Sequence, residues 1–408
     1  MQNKIKIEDF NYPLPEEKIA FFPLEKRDCS KLLIYDNQRI REDVFKNIGD
    51  YLPKSTLLVF NDTKVVKARL VFYKDSGARI ELFCLEPANS GNIAQELNAR
   101  NHVVWNCLVG NSRRWTSGKL HSEITVDNHL VTVTAERANI CEDHSEIVFS
   151  WNEDCTFANI LDYFGKIPLP PYIRRETQQS DNIRYQTVYA LENGSVAAPT
   201  AGLHFTPELI GSLEKQGIDT AYLTLHVGLG TFKPVNEEYI EEHNMHSERI
   251  SIKRSLVEKL LNACGKSCVI PVGTTSCRSL ESLFWLGAKL IENPSLEGVL
   301  ELDQWYPYEC PIRDDITVSQ SLATVLEWLD KHEYPMLEAY TSLMITPEYT
   351  CRIADAIITN FHQPKSTLLL LVSALVGDVW RDGYRYALDH GFRFLSYGDS
   401  CLFLNFNL

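Results

Sequence analysis

The chain has no C-x-x-C pair among its 11 cysteines, no H-E-x-x-H, and no apolar run of bilayer length. The first absence removes the spacing of zinc ribbons and thiol redox motifs; the second removes the helical metalloprotease signature. The longest apolar run near the C-terminus, LLLLVSALV at 368–376, is far short of a membrane span, and the opening MQNKIKIEDF has no apolar signal stretch. A cytoplasmic, membrane-free protein with reduced thiols is expected, with no disulfide framework and no structural zinc. HNMHSE sets His243 and His246 three apart with Glu248 close behind, which falls short of a metal signature, so no metal is expected.

A surplus of positive charge is also missing. Forty Lys and Arg face 54 Asp and Glu, a formal net charge of −14, which argues against nucleic-acid binding by overall charge because phosphate neutralisation needs clustered cations. Local clusters do occur at Lys64, Lys67 and Arg69, at Arg113 and Arg114, at Arg174 and Arg175, and at Lys253 and Arg254. Each alone reads as solvated surface. A dinucleotide fingerprint is absent too. YLTLHVGLGTFKPV carries Gly228 and Gly230 after a strand pattern, but no third glycine follows, and Pro234 removes a donor where a helix would start.

What is present is a chain of 408 residues, 44% hydrophobic, long enough for two or three domains. Residues 68–151 hold short strand-like runs (ARLVFY, ARIELFCL, HVVWNCLV, HLVTVTAE, EIVFSW) broken by Gly, Asn, Asp and Ser, the pattern of a small antiparallel barrel or sandwich. From Ser195 onward strands alternate with helices. Thr206 and Pro207 suit the first positions of a helix ending at Gly217, Ser255 and Glu258 suit a capping box ahead of Gly265, and a further helix is expected near Ser276. The pattern predicts an α/β main domain, a mixed sheet or barrel with flanking helices, at 1–66 and 158–408. A small antiparallel β-barrel is inserted at 67–157.

The predicted strands end in small, polar or titratable residues. One runs into Asn61, Asp62 and Thr63; the next into His226, Gly228, Gly230 and Thr231; CVIPV into Thr274, Thr275 and Ser276; AIIT into Asn360 and His362; and FRFLS into Tyr397 and Asp399. In α/β folds ligands bind at the carboxyl ends of strands. A turn preference explains any single tip, whereas five together point to one shared site. SVAAPTAGLHF adds Thr200 and Gly202 just before His204, small residues that let a partner approach the backbone closely; a satisfied buried histidine is the rival reading of His204.

The stretches PLPPYIRR, VAAPTAGLHFTPEL, LTLHVGLGTFKPV, HNMHSE, VGTTSCRSLES, TNFHQPKSTLLLLVSALVG and FRFLSYGD resemble the S-adenosylmethionine:tRNA ribosyltransferase-isomerase family of queuosine biosynthesis, and LLVFNDTKVVKARL is similar to it as well. The resemblance spans nearly the whole chain. It implies an α/β domain with an inserted β-barrel, and an enzyme that moves the ribosyl part of S-adenosylmethionine onto 7-aminomethyl-7-deazaguanine. That base sits at the wobble position of tRNA with a GUN anticodon; epoxyqueuosine forms, and adenine and methionine leave. It also implies a monomer.

The reaction's demands suggest roles. The sulfonium acidifies the 5′ hydrogens, so a base is needed, and His204, His226, His243, His246 and His362 compete for that part. Departing adenine is helped by an acid, for which Asp62 or Asp399 is suited if burial raises its pKa. Tyr397 or Glu248 can face the sulfonium, and Arg278 can hold the methionine carboxylate. Thr274, Thr275 and Ser276 at a helix start offer donors to that carboxylate or to a phosphate.

The chain departs from the family pattern after Glu281. A long segment, taken as an insertion at 286–345, leads into LMITPEYTCRIAD; there Glu348 stands where the family has glycine, while Gln363 replaces a leucine and Lys67 a proline. A paralogous S-adenosylmethionine-using transferase on another nucleobase or amine, or a non-catalytic RNA-binding protein of the same fold, are the competing readings.

Overall fold

A computed structural model describes residues 4–36, 39–88, 93–141, 144–228, 235–310, 312 and 314–404. The strands in chain order are β1 (Lys31–Asp36), β2 (Arg39–Val44), β3 (Thr56–Asn61), β4 (Thr63–Val65), β5 (Arg69–Tyr73), β6 (Arg79–Pro87), β7 (His102–Gly110), β8 (Leu120–Val126) and β9 (His129–Ile140). They continue as β10 (Ser145–Trp151), β11 (Glu192–Ser195), β12 (Asp219–Leu225), β13 (Glu248–Lys253), β14 (Cys268–Pro271), β15 (Leu300–Leu302), β16 (Met336–Thr341), β17 (Ala356–Asn360) and β18 (Ser400–Leu404). The chain forms two compact units, one of residues 1–63, 187–190 and 199–408, the other of residues 64–186 and 191–198.

The larger unit holds a six-stranded mixed sheet, ordered β14-β3-β12-β13-β16-β15, and a four-stranded sheet, β17-β18-β1-β2. Every residue of β3 is buried, as expected of TLLVFN lying between parallel neighbours, with Leu58 level with Thr220 on one side and Ile270 on the other. A parallel bridge from Val272 to Ile358 carries the strand order on from β14 to β17. Leu32, Ile34 and Leu402 of the smaller sheet meet Leu58, Phe60 and Ile270 of the larger in one core, filled out by Phe45, Phe205 and Leu213.

Two of the expected helices form. Pro207–Lys215 begins as expected, with Thr206 Oγ1 accepting the Leu209 N–H at 3.1 Å and proline in the first turn. Thr274–Glu292 starts two residues earlier than the sequence suggested, straight after Gly273, whose φ of 92° suits glycine. It buries most of its length against the sheet and against helix Val318–Lys331. The expected capping box at Ser255 is not formed. That helix spans Arg254–Ala263, its N-cap Lys253 makes no side-chain cap, and Arg254 pairs instead with Glu258 and Asp330.

FRFLS is not a strand either. Leu395 has φ 69°, and a Cβ on Gly398 would lie 2.5 Å from the Arg393 carbonyl oxygen, so the chain folds into a tight turn. The strand follows at β18, and its Ser400 pairs with Asn360, which brings Asp399 beside the β17 tip all the same. Residues 286–345 build β15, β16 and helix Val318–Lys331, with β16 antiparallel to β13, so this segment widens the main sheet. Glu348 is exposed and lies outside the residues of positive φ, so no glycine conformation is needed there.

The other unit is a six-stranded antiparallel sheet, ordered β5-β6-β7-β10-β9-β8, whose end strands β5 and β8 lie against each other so that the sheet nearly closes as a barrel. Burial alternates along β6 and β10, and Trp105, Phe149 and Trp151 gather around Phe157 of helix Phe157–Phe164. The unit runs on to Gln186, and β11 pairs with β4. All eleven cysteines are free thiols. Among the described residues no helix is long and apolar enough to cross a membrane, and no group of three or more His, Cys, Asp or Glu is placed to hold a metal.

Candidate active site

Because β14, β3 and β12 are parallel neighbours and β14 is bridged to β17, their carboxyl ends emerge side by side. Asn61, Thr274 and Thr275, His226, and Asn360 with His362 occupy those ends. Asn61 ties two of them together. Its Nδ2 donates to Leu225 O at 3.0 Å and to Thr275 Oγ1 at 3.3 Å, while its Oδ1 accepts from the N–H of Leu225 and of Thr63. Asp62 is buried and accepts the Thr224 hydroxyl at 2.6 Å. Gly273 offers no side-chain cap, so the first-turn N–H groups of Thr274, Thr275 and Ser276 keep the donor capacity of a helix start.

The five histidines differ sharply in their settings. His204 lies against Phe45 with both ring nitrogens engaged, Nδ1 to Ser30 Oγ at 2.8 Å and Nε2 to Asn360 Nδ2 at 3.1 Å. Since Asn360 donates to Nε2, that nitrogen accepts and the ring proton sits on Nδ1. Burial, with the charges of Arg393 and Arg27, pushes its pKa down to about 3. His362 is also pushed down to about 3 by burial; its ring bonds Thr359 Oγ1 at 2.8 Å, and its backbone carbonyl accepts the Tyr12 hydroxyl. His226 is half-buried. Its Nδ1 meets Thr63 Oγ1 at 3.0 Å, and burial and then Arg249 push it down to about 4, against the opposing pull of Glu338. His243 bonds Glu237 at 3.0 Å, and its loop is clasped by Gln304, which donates to the His243 carbonyl and accepts the Met245 N–H. His246 lies beside Gly228, where an added Cβ would approach its ring at 3.9 Å.

Three further expectations change character in the fold. Arg278 and Glu248 are both buried and form an ion pair at 2.5 Å, and Glu248 also accepts the Gly228 N–H at 3.4 Å. The guanidinium therefore reaches a ligand only as one half of a pair. Asp399 accepts the Lys31 and Arg393 N–H groups and the Arg393 side chain, which makes it the clamp of the turn before β18. The close approach that Gly202 allows is made by Tyr189, whose hydroxyl would stand 1.9 Å from a Cβ there. Thr200 opens the short helical turn Thr200–His204, and Tyr397 is buried beside the Asp399 turn. Gly230 and Thr231 lie outside the described residues.

The geometry thus forms one group around the ends of β3 and β12, comprising Asn61, Asp62, Thr63, His226, Gly228, His246, Glu248, Thr275 and Arg278. A second around the β17 end comprises His204, Asn360, His362 and Asp399. In the latter, Asn360 Nδ2 faces three acceptors, the His204 ring and the carbonyls of Leu395 and Asp399, which fixes its orientation and leaves its buried Oδ1 without a hydrogen-bond partner among the described residues. Ser30, Thr224, Arg249 and Glu338 were not singled out from sequence. Arg249 grips Glu338, which also accepts from Ser251 at 3.0 Å, while the His226 N–H donates to the Arg249 carbonyl at 3.0 Å. Strand alternation in ERISIK was the available signal, since it puts Arg249 and Ser251 on the face opposite buried Glu248 and Ile250. Chemically, the site offers a half-buried neutral imidazole, a helix start suited to an anion, and a desolvated Arg–Glu pair.

Residues 7–403 match the family described as queuosine biosynthesis protein. Proteins named S-adenosylmethionine:tRNA ribosyltransferase-isomerase are similar along their full lengths. That of Halothermothrix orenii is 37% identical, covering 98% of this chain and 100% of its own, and that of Nitrosospira multiformis is 35% identical, covering 98% of each. A crystal structure of an S-adenosylmethionine tRNA ribosyltransferase from Thermotoga maritima is 27% identical, covers 97% of this chain and 100% of that one, and has a TM-score of 0.46. On the family match and the relatives' identity, the chain belongs to the queuosine biosynthesis protein family.

Proposed function

We propose that this protein is an S-adenosylmethionine:tRNA ribosyltransferase-isomerase. It transfers and isomerises the ribosyl moiety of S-adenosylmethionine onto 7-aminomethyl-7-deazaguanine at the wobble position of tRNA with a GUN anticodon, leaving epoxyqueuosine, adenine and methionine. The observation that carries the reading is the family match over residues 7–403. Consistent with it, the polar tips of β3, β12, β14 and β17 leave the sheets side by side.

Within the site, His226 is our choice of base for the 5′ hydrogen. It is proton-free at neutral pH, half-buried, and oriented by Thr63, whereas His204 and His362 spend ring nitrogens inside the fold. Asp62 is the acid for adenine departure, as a buried carboxyl beside the same strand tips. The helix start at Thr274 takes the methionine carboxylate, and the Glu248 half of the Arg278 pair faces the sulfonium. His246 and Gly228 line the approach, and the remaining assignments (His204, His362, Asn360, Tyr397 and Asp399) frame the pocket. The protein acts as a cytoplasmic monomer with no metal; its barrel unit is an insertion in the α/β domain, and residues 286–345 are a second one.

Adenine release measured by chromatography tests the reading. With S-adenosylmethionine, release requires tRNA bearing the deazaguanine base and is absent with tRNA bearing guanine. Methyl transfer without adenine, or adenine release indifferent to the tRNA base, contradicts it.

A further inference from the structure

In the barrel-like unit, the loop from β7 to β8 gathers positive charge on a rigid base. Asn111 takes the left-handed conformation, φ 59°, and donates its amide to the Arg79 carbonyl at 3.1 Å. Trp115 is buried and fixes the other end by donating Nε1–H to Gly118 O at 3.0 Å. Arg137 of β9 lies over the Trp115 ring at 4.7 Å and donates to Ser112 Oγ at 3.2 Å, while its Nε is buried with no hydrogen-bond partner among the described residues. Lys74, from the turn after β5, reaches across to the Arg114 carbonyl at 3.1 Å. Arg113 and Arg114 are exposed, and so, beside Lys74, is the Tyr73 ring at 61%. Asp75 in the same turn offsets one charge, and Glu136 nearby is paired with Lys119 at 3.0 Å.

Solvated surface accounts for one exposed arginine. It does not account for a loop fixed by Asn111 and Trp115 that carries Arg113 and Arg114 exposed and takes Lys74 onto the Arg114 carbonyl, on a chain of net charge −14. Cations gathered on one loop draw a polyanion by releasing its counterions. Cations interleaved with an exposed ring are the pattern that grips a nucleic-acid backbone and stacks an unpaired base.

We propose that this loop cluster is a docking surface for the substrate tRNA, with Lys74, Arg113 and Arg114 on backbone phosphates and Tyr73 stacked on a base. The inference rests on the tRNA reading above and adds where the acidic chain holds its RNA. The test is equilibrium binding of the deazaguanine-bearing tRNA over a range of salt, for wild type, R113Q/R114Q, R113K/R114K and Y73A. Loss of two phosphate contacts makes the log–log salt slope shallower by ~1.5 in R113Q/R114Q, with affinity down about tenfold at low salt. The lysine pair keeps the slope, and Y73A loses about tenfold with the slope intact. Unchanged thermal melting and unchanged S-adenosylmethionine binding show that the variants are folded. Wild-type affinity and slope in R113Q/R114Q overturn the surface while leaving the enzyme reading in place. A wild-type protein that neither binds this tRNA nor releases adenine overturns both.

Discussion

At the residue scale, burial separates the histidines. Sequence put five of them in competition, and nothing in residue type distinguishes a ring that frames a pocket from one that works in it. The partners decide. His204 is held between Ser30 and Asn360, 174 and 156 positions away, separations that no local pattern encodes. Two predictions belong here. First, Arg249 and Glu338 act on His226 with opposite sign. Arg249→Gln removes a positive charge and moves the acid limb of kcat/KM to higher pH, whereas Glu338→Gln leaves Arg249 unopposed and moves it to lower pH, each by about half a unit to one unit. The double variant returns towards wild type. Shifts of the same sign would contradict the placement of His226 as the titrating group.

Second, His204 and His362 are proton-free in the fold down to about 3 but titrate near ~6.5 when unfolded. Below pH ~6.5 the unfolded chain therefore binds more protons than the folded one. Stability is fully present above that pH and is lost as pH falls toward 3, by ~1.4 kcal/mol per histidine per pH unit. Urea unfolding at about pH 7.5 and about pH 5.5 checks this, with His362→Gln less pH-dependent than wild type by ~1 kcal/mol. Equal pH dependence in the two proteins would mean that His362 is not held neutral.

At the scale of elements, the strands of the α/β unit were legible because TLLVF, AYLTL, CVIP and AIIT are β-branched and apolar runs ending in polar residues. The strand expected in FRFLS failed because its turn is made by tertiary contacts, the Asp399 carboxylate and the packing of Gly398, which leave no mark on hydrophobic periodicity. Helix Thr274–Glu292 shows a similar division. A helix near Ser276 could be read from sequence, but its two later fastenings could not. Glu281, buried and with its pKa raised by that burial, accepts the N–H groups of Arg352, Ile353 and Ala354 and the Tyr349 hydroxyl, and so fixes the loop into β17. Gly287 lets helix Val318–Lys331 approach so closely that a Cβ would stand 2.1 Å from Ser321 Oγ and 2.5 Å from its carbonyl oxygen. Gly287→Ala should therefore destabilise the protein by about 1–3 kcal/mol, read by denaturant unfolding. A neutral effect would mean that the two helices are not packed as described.

For the whole molecule, the sequence pattern sets a β-rich stretch at 67–157 apart from an alternating α/β remainder, and the structure has two compact units, the smaller of residues 64–186 and 191–198. What composition could not disclose is how residues 286–345 serve the fold. They supply β16, whose Glu338 stands beside His226, and Gln304, which holds the His243 loop. A segment that looked like a departure from the family thus supports the site from the edge of the main sheet. The proposal turns on His226, in the group at the ends of β3 and β12, taking the 5′ proton of S-adenosylmethionine. Single-turnover adenine release in His226→Asn, with S-adenosylmethionine affinity measured alongside, tests it most directly. The account predicts that binding is kept and release falls by at least about a hundredfold, while His243→Asn keeps most of the rate; release near the wild-type rate in His226→Asn would contradict it.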